Sequence, residues 1–437
     1  MKSLLPILPF IAALSLTGCA KKTDVALVEN SPETQAARPE TRMKGTVVRT
    51  EFAELVRTSV ALSPSSAAGY HSIAAAGSRV EAERSALRPQ LTAETSLNSD
   101  GETIPIVRLS QLIYDGGRSK NRVALQRQEA HRTWLDELSG LSARSFAAVE
   151  AIIDFDRNER LATLARQNLE RTSSLVANMQ ERFDAGAGSL ADLLAGQGWQ
   201  SNAETELAQT RTNVAQARAV WIEFIGAPPQ SVPNIPHAPR LVQAAPEEMV
   251  ARSPRMRSQT AISKVRAQEL AVAKQSTKPT LSAILETDLD QGYFDNTVQA
   301  RLGVNVPIYR GGVAKANIAS AHSALEESLA NVEVLRRELE RSLSQALEET
   351  RSVKVRLTSA HRAVDLNTEA LDAARGEFEI GRGTFRQILD ALRELNIAQS
   401  RLIELKAEAL RAEYAILAVT GDILDAVGIV QPVDPTL

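Results

Sequence analysis

Two sequence motifs of this chain occur twice, at the same distance along the sequence. The motif Tyr-x-Gly-Gly at residues 114–117 recurs at residues 309–312, and the motif Phe-x-x-Gly-x-Gly at residues 183–188 recurs at residues 378–383. Both pairs are 195 positions apart, from 114 to 309 and from 183 to 378. The chain is therefore a tandem duplication, and its fold must be one that a single structural unit builds twice.

The prolines upstream of the first motif show where the two copies differ in length. Pro64 matches Pro254 and Pro89 matches Pro279, each pair at an offset of 190, so five residues were gained between Pro279 and Tyr309. A loop tolerates such an insertion. The stretch between the two motifs keeps its length in both copies and contains no proline. This predicts one helix of about 66 residues, some 100 Å long, in each copy.

The N-terminus has the features of a bacterial lipoprotein signal. A short basic start precedes an apolar run from Leu4 to Leu14, and Leu-Thr-Gly-Cys follows at residues 16–19, which is the form of a signal that ends in a lipidation site. Cys19 is the only cysteine of the chain. We expect a signal peptide at residues 1–18, a lipid anchor on Cys19 and a polar, flexible tether at residues 19–46. The alternative is a chance cysteine after a plain signal.

Composition narrows the class of protein. The chain has 50 basic and 53 acidic residues, for a net charge of -3, so neither nucleic acid nor an electrostatically recruited partner is indicated. Only 4% of the residues are aromatic, which suits long helices packed through small side chains. After the signal, no apolar stretch approaches the roughly 20 residues of a transmembrane helix.

The chain divides into two repeats and a connector. We expect each repeat to run as a helix, a strand hairpin, a long helix, a tight turn and a medium helix. The connector is rich in proline and cannot form a long helix. The expected segments are 47–226 for the first repeat, 227–253 for the connector, 254–428 for the second repeat and 429–437 for a C-terminal tail.

The helices that flank the first long helix, at about 64–87 and 189–225, are each too short to match its length. We therefore expect them to stack end to end beside it, as one pseudo-continuous helix.

The predicted strands alternate strictly between apolar and polar residues. This gives each hairpin one apolar and one polar face, which fits either a soluble sheet packed on one side or a membrane barrel with a wet lumen. The hairpin loops fall near Asp100-Gly101 and Gln291-Gly292. The apolar positions are Leu91, Ala93, Thr95 and Leu97 in the first copy, and Leu281, Ala283, Leu285, Leu289, Val298, Ala300, Leu302, Val304 and Val306 in the second.

Paired glycines mark the predicted passage from strand to helix at Gly116-Gly117 and Gly311-Gly312. The motif lacks the glycine spacing and the lysine of a phosphate-binding loop, so we interpret it as a sharp backbone turn.

A second set of glycines, Gly186, Gly188, Gly381 and Gly383, marks the reversal between two long antiparallel helices. Ser189 and Thr384 follow at the positions of N-caps. These turns are either plain hairpin tips or docking sites, and their place at the far end of a long helical hairpin favours docking.

We find no catalytic constellation in the sequence. The five histidines are scattered, and none has a second histidine or a cysteine at metal-ligand spacing. We therefore expect no enzyme activity, no metal and no cofactor other than the covalent lipid on Cys19.

The duplicated order of strand hairpin, Tyr-x-Gly-Gly, very long helix and Gly-x-Gly tip resembles the TolC family of outer-membrane channel proteins, from about Val47 to Gly428. The resemblance implies an α+β membrane protein with a long α-helical coiled-coil barrel. Each chain would contribute four strands to a 12-stranded transmembrane β-barrel shared by a homotrimer. Physical reasoning also requires closure by other copies if the strands span a membrane, since exposed strand edges are not tolerated in lipid.

The resemblance also places a periplasmic gate at the second tip. The best-known members carry Tyr-x-x-Gly-x-Arg there, followed by two acidic residues three positions apart. Here Phe378, Gly383 and Gln387 replace the tyrosine, the arginine and the first acid, and only Asp390 remains. Asp192 is the matching acid of the first tip, and Phe378 has no hydroxyl to donate to it. We therefore expect apolar packing around Phe378, Phe385 and Leu389 to hold the gate, with an Asp390 ring that modestly favours cations.

The function that this implies is a passive, lipid-anchored exit duct in the outer membrane, with its helical body in the periplasm. Ala20 and Lys21 follow Cys19 as in lipoproteins sent to that membrane. Its partners would be outer-membrane lipid, a periplasmic adaptor protein and an inner-membrane pump. The tip sequence slightly favours type I protein secretion over efflux of small molecules or metal ions, whereas the lipidation signal favours efflux. The alternative from another class is a periplasmic coiled-coil scaffold lipoprotein without a channel.

Overall fold

The computed structural model describes residues 43–97, 103–241, 245–288 and 298–436. The signal peptide, Cys19 and the tether up to residue 42 lie outside the described residues, as do Leu289 and the two expected hairpin loops.

Both repeats show the expected order of elements, and each long helix has 67 residues. Before the first repeat lies β1 (Met43–Lys44), and the repeat itself contains α1 (Glu51–Leu62), α2 (Pro64–Ser85), β2 (Gln90–Leu97), β3 (Thr103–Tyr114), α3 (Arg118–Asp184) and α4 (Leu190–Ile225). The connector and the second repeat contain β4 (Arg240–Leu241), α5 (Pro246–Arg252), α6 (Pro254–Gln275), β5 (Thr280–Asp288), β6 (Val298–Asn305), α7 (Val313–Glu379), α8 (Phe385–Thr420) and α9 (Ile423–Val427).

Local signals set the helix ends in both copies. Ser189 and Thr384 are the N-caps of α4 and α8, and each side chain accepts a hydrogen bond from a backbone N–H of the first turn, as the sequence predicted. The same two helices end at Gly226 and Gly421, whose left-handed φ of 81° and 83° suits glycine alone at low cost.

The shorter helices stack end to end beside the long ones, which confirms the predicted pseudo-continuous helices. Both α2 and α4 pack along α3, and both α6 and α8 pack along α7. The meeting points are tight. A Cβ added to Gly226 would lie 3.3 Å from Leu62 Cδ1, and one added to Gly421 would lie 2.3 Å from Pro254 Cδ.

The two hairpins form one antiparallel sheet in the order β2-β3-β5-β6. The pairing of β3 with β5 joins the two repeats and aligns apolar residues in a row across all four strands: Leu91, Leu109, Leu285 and Ala300. The predicted alternation of faces is therefore confirmed. The expectation that Val306 continues the last strand is wrong, because β6 ends at Asn305 and Pro307 cannot donate to a ladder.

The main apolar core lies where the connector and the chain ends meet the middle of α3. Phe52 of α1 and Tyr414 of α8 are fully buried with ring centroids 5.4 Å apart, and the Tyr414 hydroxyl donates to Pro236 O at 3.1 Å. Trp134 of α3 donates to Pro432 O at 2.8 Å. These contacts hold the connector and the C-terminal segment against α3.

Short strands and helices complete this region. β1 pairs with β4, so Met43 and Lys44 from the end of the expected tether pair with residues of the connector. In the connector, α5 has only seven residues. Among the described residues, no helix combines the length and the apolar character needed to cross a membrane.

Candidate functional site

One face of the four-stranded sheet exposes a continuous apolar surface. Leu302 is 68% exposed and Val304 is 66% exposed, although both belong to a regular sheet. Other large apolar side chains exposed on this face are Leu91, Leu109, Leu285 and Val298. A soluble sheet would pack such a face against a core, so this surface indicates contact with a membrane or another apolar phase.

The opposite face carries a ladder of alternating charges, which we call the charge ladder: Glu94, Arg108, Glu286 and Arg301, one from each strand. Arg108 Nη1 lies 3.3 Å from Glu94 Oε1, and Arg108 Nε lies 3.4 Å from Glu286 Oε2. Arg301 Nη2 lies 2.5 Å from the same Glu286 oxygen. This ladder was not predicted from the sequence. Its only signal is that each charge occupies a polar-face position, and the register that brings the four together is tertiary.

The paired glycines take positive φ at both strand-to-helix turns: 71° and 89° at Gly116 and Gly117, and 59° and 85° at Gly311 and Gly312. The first turn also contains a buried carboxylate that accepts backbone hydrogen bonds. Asp115 is buried and accepts hydrogen bonds from Gly117 N at 3.0 Å and Ser119 N at 2.6 Å. Burial would raise the pKa of Asp115, but the hydrogen bonds from Ser119 and Gly117 hold that pKa below its ordinary value.

The two turns differ in their surroundings. A Cβ added to Gly116 would lie 2.4 Å from Lys278 Cβ, in the second repeat. Among the described residues, no atom beyond the adjacent residues lies within 4 Å of the same position on Gly311. Beside that second turn, Tyr309 is exposed and a cleft of about 460 Å³ opens. Position 310, which matches Asp115, is an arginine. The first turn thus packs against the second repeat, whereas the second turn is open at the matching glycine.

The two tips have the same backbone. Gly186 and Gly381 have φ of 74° and 76°, and each donates to the carbonyl of the motif phenylalanine, at 2.9 and 3.0 Å. The next residue donates to the carbonyl before that phenylalanine, which completes a Schellman motif.

The second glycine of each tip is required for a different reason. Gly188 and Gly383 do not have positive φ, but an added Cβ would lie 2.9 Å from Phe183 N and 2.8 Å from Phe378 N, respectively. These positions need glycine because the backbone passes too close for a side chain.

Aromatic and cationic contacts join the two tips of one chain. Phe378 and Phe385 meet edge to face with centroids 4.6 Å apart, and the Arg182 guanidinium of the first tip lies 4.9 Å from the centre of the Phe378 ring. Phe385 also packs against an apolar cluster at the first tip: Val176, Met179 and Leu193. Leu389 is buried. The contact of Arg182 was not predicted from the sequence, and the matching residue of the second copy is Glu377.

The polar residues proposed for the gate lie near the starts of α4 and α8, with Asp192 and Gln387 in the first turns and Asp390 in the second turn of α8. Asp192 and Asp390 are exposed. Gln387 instead takes part in a capping box. Thr384 N donates to Gln387 Oε1 at 2.6 Å, and Gln387 N donates to Thr384 Oγ1 at 3.3 Å. Its side chain is therefore directed to the helix N-terminus and not into a ring with Asp390. In the described part of the chain, no group of three or more potential ligands is arranged to hold a metal ion.

Comparisons with known proteins agree with this architecture. The family model described as outer membrane efflux protein matches residues 55–226 and 245–422. The outer membrane efflux protein BepC of Brucella suis is 26% identical over 377 residues, which cover 79% of this chain and 81% of BepC.

Two solved structures share the fold. The outer membrane channel CmeC of Campylobacter jejuni is 13% identical, with a TM-score of 0.77 over 92% of each chain. The outer membrane protein VceC of Vibrio cholerae is 14% identical, with a TM-score of 0.74 over 85% of this chain and 96% of VceC. The predicted fold class is confirmed at the level of the single chain.

The strand hairpins, long helices and glycine tips of both repeats lie within the matched residues. The family consists of passive channels and not of enzymes. This chain therefore belongs to the outer membrane efflux protein family, the TolC family that its duplicated motifs resemble.

Proposed function

We propose that the chain is the outer-membrane exit duct of a tripartite export system and passes cargo passively to the cell exterior. The exposed apolar face of the four-stranded sheet carries this proposal. Exposure of such a face to water is unfavourable, whereas a transmembrane strand needs apolar side chains on the face that contacts lipid. The polar face of the same sheet then lines an aqueous lumen.

Closure of the duct requires further copies of the chain. Among the described strands, β2 and β6 form the two unpaired edges of the sheet, and lipid tolerates no open edge. Pairing of β6 with β2 of the next protomer would remove both edges and generate a ring. Three protomers, as the resemblance implies, would complete a barrel of 12 strands.

The internal junction between the repeats suggests how neighbouring protomers meet. Leu194 and Ile222 on α4 are 57% and 41% exposed, whereas their counterparts on α8, Leu389 and Leu417, are 3% and 1% exposed. α8 packs against α3 of the other repeat, and α4 lacks an equivalent neighbour on that side within one chain. A second copy would supply that neighbour through its α7.

We assign the helical body to the periplasm and the sheet to the outer membrane, with Cys19 carrying a lipid that adds a second anchor. The tips, with Gly186, Gly188, Gly381 and Gly383, would dock onto a periplasmic adaptor driven by an inner-membrane pump. The contacts of Phe378 with Phe385 and Arg182 would hold the tips closed, and Asp390 would contribute a ring of carboxylates.

For the cargo, we propose type I protein secretion on the basis of the second tip sequence, Gly-Arg-Gly-Thr-Phe. Efflux of small molecules or metal ions is the second candidate, favoured by the description of the family and of BepC as efflux proteins. Mass spectrometry of culture supernatants from cells with and without the protein separates the two. Loss of one or a few large secreted proteins supports secretion. An unchanged supernatant together with increased sensitivity to toxic compounds supports efflux.

The scaffold alternative makes a different prediction about the lipid. A scaffold held only by Cys19 would leave the membrane fraction in a Cys19→Ala variant with a cleavable signal. A duct with lipid-embedded strands would remain after washing with high salt and carbonate. Release of the variant would contradict the duct.

A further inference from the structure

The charge ladder crosses every strand of the sheet and alternates in sign from Glu94 to Arg301. Its inner members are the less exposed, with side chains 31% exposed for Arg108 and 18% for Glu286. Its outer members, Glu94 and Arg301, are each 55% exposed. The ladder therefore has a hydrogen-bonded centre and two ends open to solvent.

The central arginine has a geometric task that a lysine could not perform equally well. Its planar guanidinium directs Nη1 to Glu94 and Nε to Glu286, so one cation bridges two carboxylates. Glu286 in turn accepts from both arginines through one oxygen. Each charge is compensated by a neighbour on the adjacent strand, and the ladder as a whole is neutral.

We propose that the charge ladder is the element that sets charge selectivity in the membrane-embedded section of the duct. The proposal rests on the proposed function, since it requires the polar face to line the lumen. Charges on the wall of a pore surrounded by low dielectric act on passing ions more strongly than the same charges in bulk water. Two positive and two negative charges per protomer cancel, so the intact ladder passes solutes of either sign. Removal of one charge leaves its opposite uncompensated in every protomer.

The exposed ends allow a test that leaves the hydrogen-bonded centre in place. Purified full-length protein is inserted into planar bilayers, and the reversal potential is measured across a KCl gradient. We expect Glu94→Gln to shift the K⁺/Cl⁻ permeability ratio towards anions and Arg301→Gln to shift it towards cations, each by at least about twofold at 0.1 M salt, where screening extends over about 10 Å. The double variant should return to the wild-type ratio. At 1 M salt, with a screening length of about 3 Å, all shifts should shrink.

Charge-conserving variants serve as matched controls. Glu94→Asp and Arg301→Lys alter the contacts but keep the charges, so their permeability ratios should equal that of the wild type. The proposal would be overturned if the controls shifted the permeability ratio as much as the neutralised variants do, or if the two neutralised variants shifted it in the same direction. The ladder would then have a purely structural role. The recordings are repeated with Phe378→Ala added to each variant, because tips that stay closed would hide the conductance of the duct. Absence of any channel in both backgrounds would instead contradict the proposed duct itself, and the selectivity proposal with it.

Discussion

The rings of Phe378 and Phe385 meet edge to face at 4.6 Å across the turn that joins α7 to α8. Phe378 also receives Arg182 from the other helical hairpin of the same chain. In the best-known relatives that the sequence resembles, a tyrosine occupies this position. Here a ring without a hydroxyl still contacts the first tip, through a cation–π contact with Arg182 in place of a hydrogen bond.

Loss of these contacts should open the tips. An aromatic pair contributes about 0.5–1.5 kcal/mol and an exposed cation–π contact about 0.5–1 kcal/mol. We therefore expect Phe378→Ala to increase the open probability in planar bilayers by roughly 5- to 50-fold, and Arg182→Gln by less. Phe378→Tyr keeps the ring and should remain close to wild type. An unchanged open probability in Phe378→Ala would show that these contacts do not hold the gate.

The first glycine of each tip should not tolerate replacement by proline. Proline at position 381 would require a φ near -65° where Gly381 has 76°, and would remove the donor to Phe378 O. We expect Gly381→Pro and Gly186→Pro to abolish export while the trimer still assembles, as measured by transport assays and native gel electrophoresis.

The control for the tip variants is Gly376→Ala, within the last turns of α7. Gly376 lies inside a helix, and no described atom beyond the adjacent residues and the local helix backbone lies within 4 Å of an added Cβ, so alanine should be neutral or stabilising by up to about 1 kcal/mol. If the proline variants also lose the trimer, the tips are required for assembly and the docking role is contradicted.

An aspartate at position 310, matching Asp115 of the first turn, should stabilise the second strand-to-helix turn. The Asp115 carboxylate accepts hydrogen bonds from Gly117 N and Ser119 N at the start of α3, whereas Arg310 at the matching position has no acceptor atom to offer the start of α7. We expect Arg310→Asp to stabilise the protein by about 1 kcal/mol, measured as a higher midpoint of thermal unfolding. Arg310→Ala is the control, because it removes the cation without adding a carboxylate that could cap the helix. Equal midpoints for the two variants would mean that aspartate does not cap this helix.

Strand register between protomers can be tested by disulfide formation. Leu109 pairs with Leu285 inside the chain. Leu109 of the first repeat matches Val304 of the second at the offset of 195, and Leu285 of the second repeat matches Thr95 of the first at the offset of 190. The equivalent pair between protomers is therefore Val304 with Thr95 of the next protomer. Directly paired residues have Cβ atoms about 4.5–5.5 Å apart, so Val304→Cys with Thr95→Cys should give covalent oligomers on non-reducing gels.

Two control pairs define the outcome of the disulfide experiment. Leu109→Cys with Leu285→Cys should cross-link within a single chain and leave its mass unchanged. Val304→Cys with Leu91→Cys is displaced by four residues, about 13 Å along the strand, and should remain monomeric on the gel. Preferential oligomers from the displaced pair would contradict the transposed register.

Much of the fold follows from local patterns that can be read in the sequence. The spacing between the motifs predicted two long helices, and both have 67 residues. Ser189 and Thr384 were identified as caps because a cap acts through its own first turn. Strand faces were equally predictable, since alternation with period two is a local property.

Contacts between distant segments could not be predicted in this way. Gln387 was assigned to the gate by its position in the motif, but its side chain closes a capping box with Thr384. Arg182 was not singled out, because nothing near it in the sequence shows that α3 ends beside Phe378. The charge ladder depends on the pairing of β3 with β5, which lie more than 160 residues apart.

The sequence by itself therefore determined the duplication, the lengths and ends of the helices and the two-faced character of the strands, because turn chemistry and hydrophobic periodicity act over a few residues. Only the tertiary structure decided which turn is buried against Lys278 and which is exposed, which tip residues touch, and which charges meet across the sheet. These relationships depend on the packing of one repeat against the other, and two units with the same order of elements acquire different surroundings as soon as they are joined in one chain.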